Sequence, residues 1–164
     1  MIIYAWCLMS NHLHLVGQAK EGFRISDIIR DFKKFTAKEI LKKIEEEPER
    51  SCEWMLYRFE FAGKFDNRVK KYKFWQQTNH AVLLYSNEII EQRLNYVHEN
   101  PVRALIVAHA HEYLFSSAAD YAEEKGYVDV QVEISKGWIY LIVSAMSLKT
   151  TNRQLLVANE GETK

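Results

Sequence analysis

Two apolar stretches open the chain, residues 2–9 and 13–18, joined at Ser10-Asn11. Runs rich in Ile, Val, Tyr and Trp on either side of a Ser-Asn step predict two strands in a tight hairpin. The period then changes. Apolar positions at 28, 29, 32, 35, 40, 41 and 44 fall at helical spacing. They predict a long helix capped by Ser26, with lysines and arginines on its outer face and an end at Pro48. Trp54 to Ala62 predicts a shorter helix stopped by Gly63, residues 64–73 a basic loop, and KFWQQTNHAVLL (73–84) a strand. Ser86 or Asn87 caps a helix over 88–99 that is interrupted at Pro101. A last short helix runs from about Ser117 to Gly126, and VDVQVEI (128–134) alternates like a strand. No internal repeat or low-complexity tract is present.

The hairpin carries the first candidate chemistry. His12 and His14 are one residue apart, so on a strand both imidazoles point to the same face. Trp6, Leu8, Leu13, Leu15 and Val16 around them suit a largely buried sheet, where two histidines are costly unless hydrogen-bonded or bound to a metal. A second pair, His109 and His111, sits in the polar stretch AHAHEY, where solvated imidazoles cost nothing. Farther on, Arg93, Tyr96, Asn100 and Arg103 are spaced by three, four and three, one polar stripe if the helix continues, beside an apolar stripe of Ile90, Leu94 and Val97. A tyrosine on such a border ordinarily packs its ring and keeps its hydroxyl wet. Asn100 precedes Pro101 and can equally cap a following short helix.

At 164 residues, 48% of them apolar and 13% aromatic, the chain predicts one folded domain and excludes wholesale disorder. Lys and Arg balance Asp and Glu at 22 each, so any contact with nucleic acid must come from local patches. Two exist. Residues 24–43 hold seven basic against three acidic side chains, and residues 58–73 hold six against two. Arg30, Lys33 and Lys34 in the first patch and Arg68, Lys70 and Lys71 in the second are candidate phosphate contacts, interleaved with Tyr57, Tyr72, Phe74 and Trp75. The plainer reading of both patches is a solvated helix face and a surface loop. Cys7 and Cys52 are too few for a disulfide framework or a cysteine zinc site and fit a reducing cytoplasm. There is no signal-peptide pattern, and the longest apolar run, WIYLIVSAM at 138–146, is too short to span a bilayer. Met1 leads straight into a strand, as in a domain entered part-way through.

Two blocks in this order, AWCLMSNHLHLV and LNYVHENPVRA followed by EYLFSS, with FWQQTNH between them, resemble the REP-associated tyrosine transposases. These are relatives of the single-tyrosine transposases of the insertion-sequence-200 type, within the His-hydrophobic-His endonuclease group. The resemblance covers about residues 2–134. It implies an α+β, ferredoxin-like fold, an antiparallel sheet with helices packed on one face, here lacking the N-terminal strand and helix of relatives. It implies that His12 and His14 are metal ligands, Tyr96 the nucleophile, and Asn100 a polar third ligand. It further implies a catalytic domain over 1–134, truncated at its N-terminus so that the hairpin's edge is exposed, and a tail over 135–164 outside it. Leu105 stands where relatives place a helix-ending glycine.

The activity so implied is metal-dependent nicking and strand transfer on single-stranded or hairpin DNA. Mg²⁺ or Mn²⁺, which suit a mixed nitrogen and oxygen site, would polarise the scissile phosphate. Attack by Tyr96 would leave a 5′-phosphotyrosyl link and a free 3′-OH, and rejoining would need no nucleotide cofactor. Arg93 and Arg103 beside Tyr96 would join the other cations on DNA. Two rivals stand beside this reading: a DNA-hairpin-binding protein without catalysis, and an unrelated metal hydrolase using His12, His14 and His80.

Overall fold

The computed structural model describes residues 1–46, 50–134 and 137–147. In chain order these form β1 (Ile2–Met9), β2 (His12–Gln18), α1 (Ile25–Glu46), α2 (Arg50–Gly63), β3 (Trp75–Leu84), α3 (Asn87–Arg103), a 3-10 turn at Ala110–Glu112, α4 (Ala118–Tyr121) and β4 (Ile139–Met146). The sheet is open, antiparallel and four-stranded, in the order β1-β2-β4-β3. The α+β class and the antiparallel sheet with helices packed against it are therefore as the sequence predicts. Among the described residues no helix is long and apolar enough to cross a membrane.

β1 and β2 pair as a hairpin about Ser10-Asn11, with Met9 opposite His12 and Cys7 opposite His14. Residues 139–146, outside the family-like blocks, form β4 between β2 and β3. Its apolar run suits an interior strand, which has neighbours on both edges and packing on both faces. Tyr4, Cys7, Val16 and Leu141 form the main core with Ile90, Leu94 and Val97, so α3 packs on the face that carries the histidine pair. Trp6, Leu15 and Ile142, one step out of phase, meet Ile29 of α1 instead. Phe59 of α2 packs with Ile44 of α1 and with Phe74 and Trp75 where β3 begins.

The outer edge of β1 is covered rather than exposed, contrary to the expectation drawn from the family resemblance. Leu8 N–H donates to Phe115 O at 2.8 Å, Ser117 N–H to Trp6 O at 3.0 Å and Gln131 N–H to Ile3 O at 2.8 Å. The hydroxyls of Tyr113 and Tyr121 donate to the carbonyls of Leu8 and Tyr4 at 2.9 Å each. The strand expected over 128–134 does not form. Among the described residues its one backbone bond to β1 is that of Gln131, because segment 113–121 occupies the rest of that edge.

α3 runs through Pro101 instead of stopping there. Proline removes the N–H that would reach Val97 O. The adjacent Asn100 side chain turns back on the helix there, its Nδ2 donating to Tyr96 O at 2.6 Å and lying 3.4 Å from Val97 O. The helix then closes at Leu105, whose φ is +58°. Leu105 N–H donates to Val102 O and Ile106 N–H to Pro101 O, both at 2.9 Å, the bond pair of a helix end turned through a left-handed residue. Leucine thus occupies a conformation that costs an L residue about 1 kcal/mol relative to glycine. Its side chain is 91% exposed and contributes little packing. Leu105→Gly is expected to stabilise the fold by about 1 kcal/mol, less what glycine loses in unfolded-chain entropy. Thermal denaturation checks this, and a lower melting temperature would contradict it.

Candidate functional site

His14 is the buried member of the histidine pair, 2% exposed, on the middle of β2. Its ring meets that of His12 edge-on at 4.6 Å and that of Tyr96 edge-on at 5.5 Å. The period of two along β2 sets the first contact. The second arises because α3 lies across β1 and β2 and turns its Tyr96 border toward them. The guanidinium of Arg103 lies 5.5 Å from the centre of the Tyr96 ring, a cation over an aromatic face. The chain therefore gathers His12, His14, Tyr96 and Arg103 from two distant segments into one centre, while the Asn100 amide is directed to the backbone of its own helix.

The donor set of this centre does not fit a divalent metal. Among the described residues no group of three or more His, Cys, Asp or Glu side chains could hold an ion, and this overturns the expectation of Mg²⁺ or Mn²⁺. The physical reasons are local. His12 Nδ1 is hydrogen-bonded to Asn11 Oδ1 at 2.6 Å, so that ring can offer a metal Nε2 alone. Asn100, expected as the third ligand, directs its amide nitrogen to Tyr96 O within its own helix. Burial pushes the Cys7 thiol, opposite His14, up to about 12, so no thiolate is offered. His80 sits on the far side of β4, paired with Val143, two strand spacings or roughly 10 Å from β2. The hydrolase rival built on His12, His14 and His80 loses its ligand set for the same reason.

His14 is held as a neutral ring. Burial, and secondarily the nearby His12, lower its pKa to about 4, and neither ring nitrogen has a hydrogen-bond partner. A second buried histidine, His98, lies on the same helix as Tyr96. Its Nε2 is 2.9 Å from Ser117 Oγ, which also accepts from Trp6 N–H at 2.9 Å and so ties α3 to the edge of β1. Burial lowers its pKa to about 4 against an opposing pull from Asp120. This tie has no signature in the sequence, because its partners are 19 and 111 residues apart. By contrast His109 and His111 are exposed, as expected, with stacked rings 5.7 Å apart.

The basic side chains divide by availability. Lys33 is half-buried, donating to Gln76 O at 2.8 Å and lying 5.9 Å from the Trp75 ring centre, and burial lowers its pKa. Trp75 is itself fixed, its Nε1 donating to Thr36 Oγ1 at 3.0 Å. Arg30 is exposed but neutralised by Asp27 at 2.7 Å and Asp31 at 3.0 Å. Arg68 pairs with Asp66 at 3.2 Å, and Lys71 lies 4.5 Å over the Tyr72 ring. Lys34 and Lys70 are exposed and make no ion pair among the described residues.

One acidic residue that sequence reasoning passed over organises the basic loop. Asp66 is buried and accepts from Lys73 at 3.0 Å, from Arg68 and from Gln77 of β3, and its bond to Lys73 holds its carboxyl below the usual range. Through Gln76 and Gln77 the start of β3 thereby contacts both the α1 and the 64–73 patches. Arg93 and Arg103 stand apart from them on α3, and Arg93 Nε is buried without a partner.

Residues 1–64 match the family described as Transposase IS200 like. The matched segment spans β1, β2, α1 and α2, and so includes His12 and His14 but ends before α3 and Tyr96. No curated protein and no solved structure matches the chain.

Proposed function

From its match to the IS200-like transposases, which supports assigning the chain to that family, we propose that this protein binds single-stranded or hairpin DNA without cutting it by a metal-dependent route. One observation carries the reading: the centre where relatives are expected to hold a metal has two imidazoles and no third ligand among His, Cys, Asp or Glu within the described residues. Binding needs less. The two basic patches, each in contact with the start of β3, offer Lys34 and Lys70 to phosphates, with Lys71 and Arg68 beside Lys70 in sequence. Such contacts are electrostatic and indifferent to base sequence.

The catalytic alternative draws on one contact, the Tyr96 ring against His14 with Arg103 above it. It requires the Tyr96 hydroxyl as a covalent nucleophile. The two readings separate on one sample of labelled hairpin DNA. Salt-sensitive binding with no linkage that survives denaturation supports the binder, and a denaturation-resistant product that needs Tyr96 supports the enzyme.

A further inference from the structure

The end of the sheet where β2 finishes carries features that the two basic patches do not use. Gln18 pairs there with Ile139, four residues and about 13 Å along β2 from His14. The chain leaves β2 through a turn in which Phe23 N–H donates to Lys20 O at 3.1 Å. Gly22, third in that turn, has φ +81°, a left-handed value that glycine adopts without strain. The turn presents Phe23, 68% exposed, just before α1 begins. Trp138, 69% exposed, stands just before β4, and Tyr85, 81% exposed, just before the Ser86 cap of α3.

These three rings border two cavities of about 550 and 630 Å³ that share Gly137 and Trp138. Gly137 lies so close to Gln18 that a Cβ would collide with its amide, which Tyr4 Oη anchors by donating to Oε1 at 2.7 Å. That approach keeps the backbone tight to the sheet and leaves the Trp138 indole between the cavities. Lys20 and Arg24 line the first cavity and make no ion pair among the described residues. Glu21 is the acidic residue of that lining. The second cavity is bordered by the first residues of α3.

Large rings left in water at one place mark a binding surface rather than a packing accident. Aromatic faces beside unpaired cations are the composition that takes unstacked bases on the rings and phosphates on the charges. We infer that this end of the sheet is a second DNA-contacting site, for one or two unpaired nucleotides of single-stranded DNA. The inference deepens the DNA-binding reading by assigning the unpaired part of the ligand to Trp138, Phe23, Lys20 and Arg24.

The test uses the full chain with two labelled probes, a short oligo-dT strand that cannot fold and a blunt hairpin with no unpaired end. Trp138→Ala and Phe23→Ala should each weaken oligo-dT binding by about tenfold or more, the loss expected when one stacked base is released. Blunt-hairpin affinity and the melting temperature should not change. Failure of the protein to bind oligo-dT would overturn the inference, as would unchanged oligo-dT affinity in both variants, and the aromatic face would then belong to a protein partner. Oligo-dT binding that needs Trp138, without any hairpin binding, would keep this site and overturn the hairpin reading alone.

Discussion

Acidification from neutral pH to about pH 4 should cost this protein about 3 kcal/mol of stability for each of His14 and His98. Both pKa values are about 4 in the fold and near 6.5 for an exposed histidine. As pH falls through 6.5 the unfolded chain takes up protons that the folded chain refuses. The stability is therefore complete above 6.5 and declines until the folded pKa is reached. Carboxylates held low, Asp66 by Lys73 and Glu112 by the backbone N–H of His109, add their losses only as pH falls through the carboxylate range. The interval above that range belongs to the histidines. Against a typical total of about 5–15 kcal/mol the loss is large. Urea midpoints across this interval measure it. His98→Gln and His14→Leu should each remove about half of the decline, and His14→Leu should not lower stability at neutral pH, since it also removes two unpartnered buried nitrogens. An acid decline unchanged in both variants would contradict the assignment.

Charge reversal at Lys34 and Lys70 together should weaken hairpin binding by on the order of tenfold per site at low salt. It should also flatten the dependence of affinity on salt by about one unit of slope for each lost phosphate contact. These two are chosen because they are exposed and make no ion pair among the described residues. Lys33 is unsuitable, because reversing a charge that donates to Gln76 O and sits by Trp75 would damage the fold. Arg30 serves as the internal control. With Asp27 and Asp31 already on its guanidinium, Arg30→Gln should change affinity much less. Fluorescence anisotropy of labelled hairpin over a salt series reads both quantities. Equal logarithmic losses per unit of charge removed, for Arg30→Gln and for the double reversal, would show that the patch acts through net charge alone.

Much of this architecture is legible in the chain. The hairpin follows from its turn and apolar flanks, and α1 from its spacing, though it starts at Ile25, one residue before the expected cap. β4 resists reading because an interior strand buried on both faces shows a continuous apolar run without alternation. Alternation misleads at 128–134, where the pattern is present but the edge of β1 is already filled by 113–121. α3 passes through Pro101 with the Asn100 amide turned back on its own helix, 3.4 Å from the Val97 carbonyl that lacks its usual donor, a contact that spacing does not announce.

At the site, the shared face of His12 and His14 follows from the strand period. The meeting of His14 with Tyr96 depends on how α3 crosses the sheet, and local pattern does not encode that. Asp66 is one of two acids among the six basic side chains of 58–73 and carries no other signal in the sequence. Its role appears only when Lys73, Arg68 and Gln77 converge on it.

Labelled hairpin DNA incubated with the protein, with and without Mn²⁺, distinguishes binding from metal-dependent cutting. Each sample is run on native and denaturing gels beside Tyr96→Phe. The expected result is a native shift that salt removes and that Tyr96→Phe retains, with no protein–DNA band on the denaturing gel in either condition. A denaturing-gel band that requires both Mn²⁺ and the Tyr96 hydroxyl would contradict it.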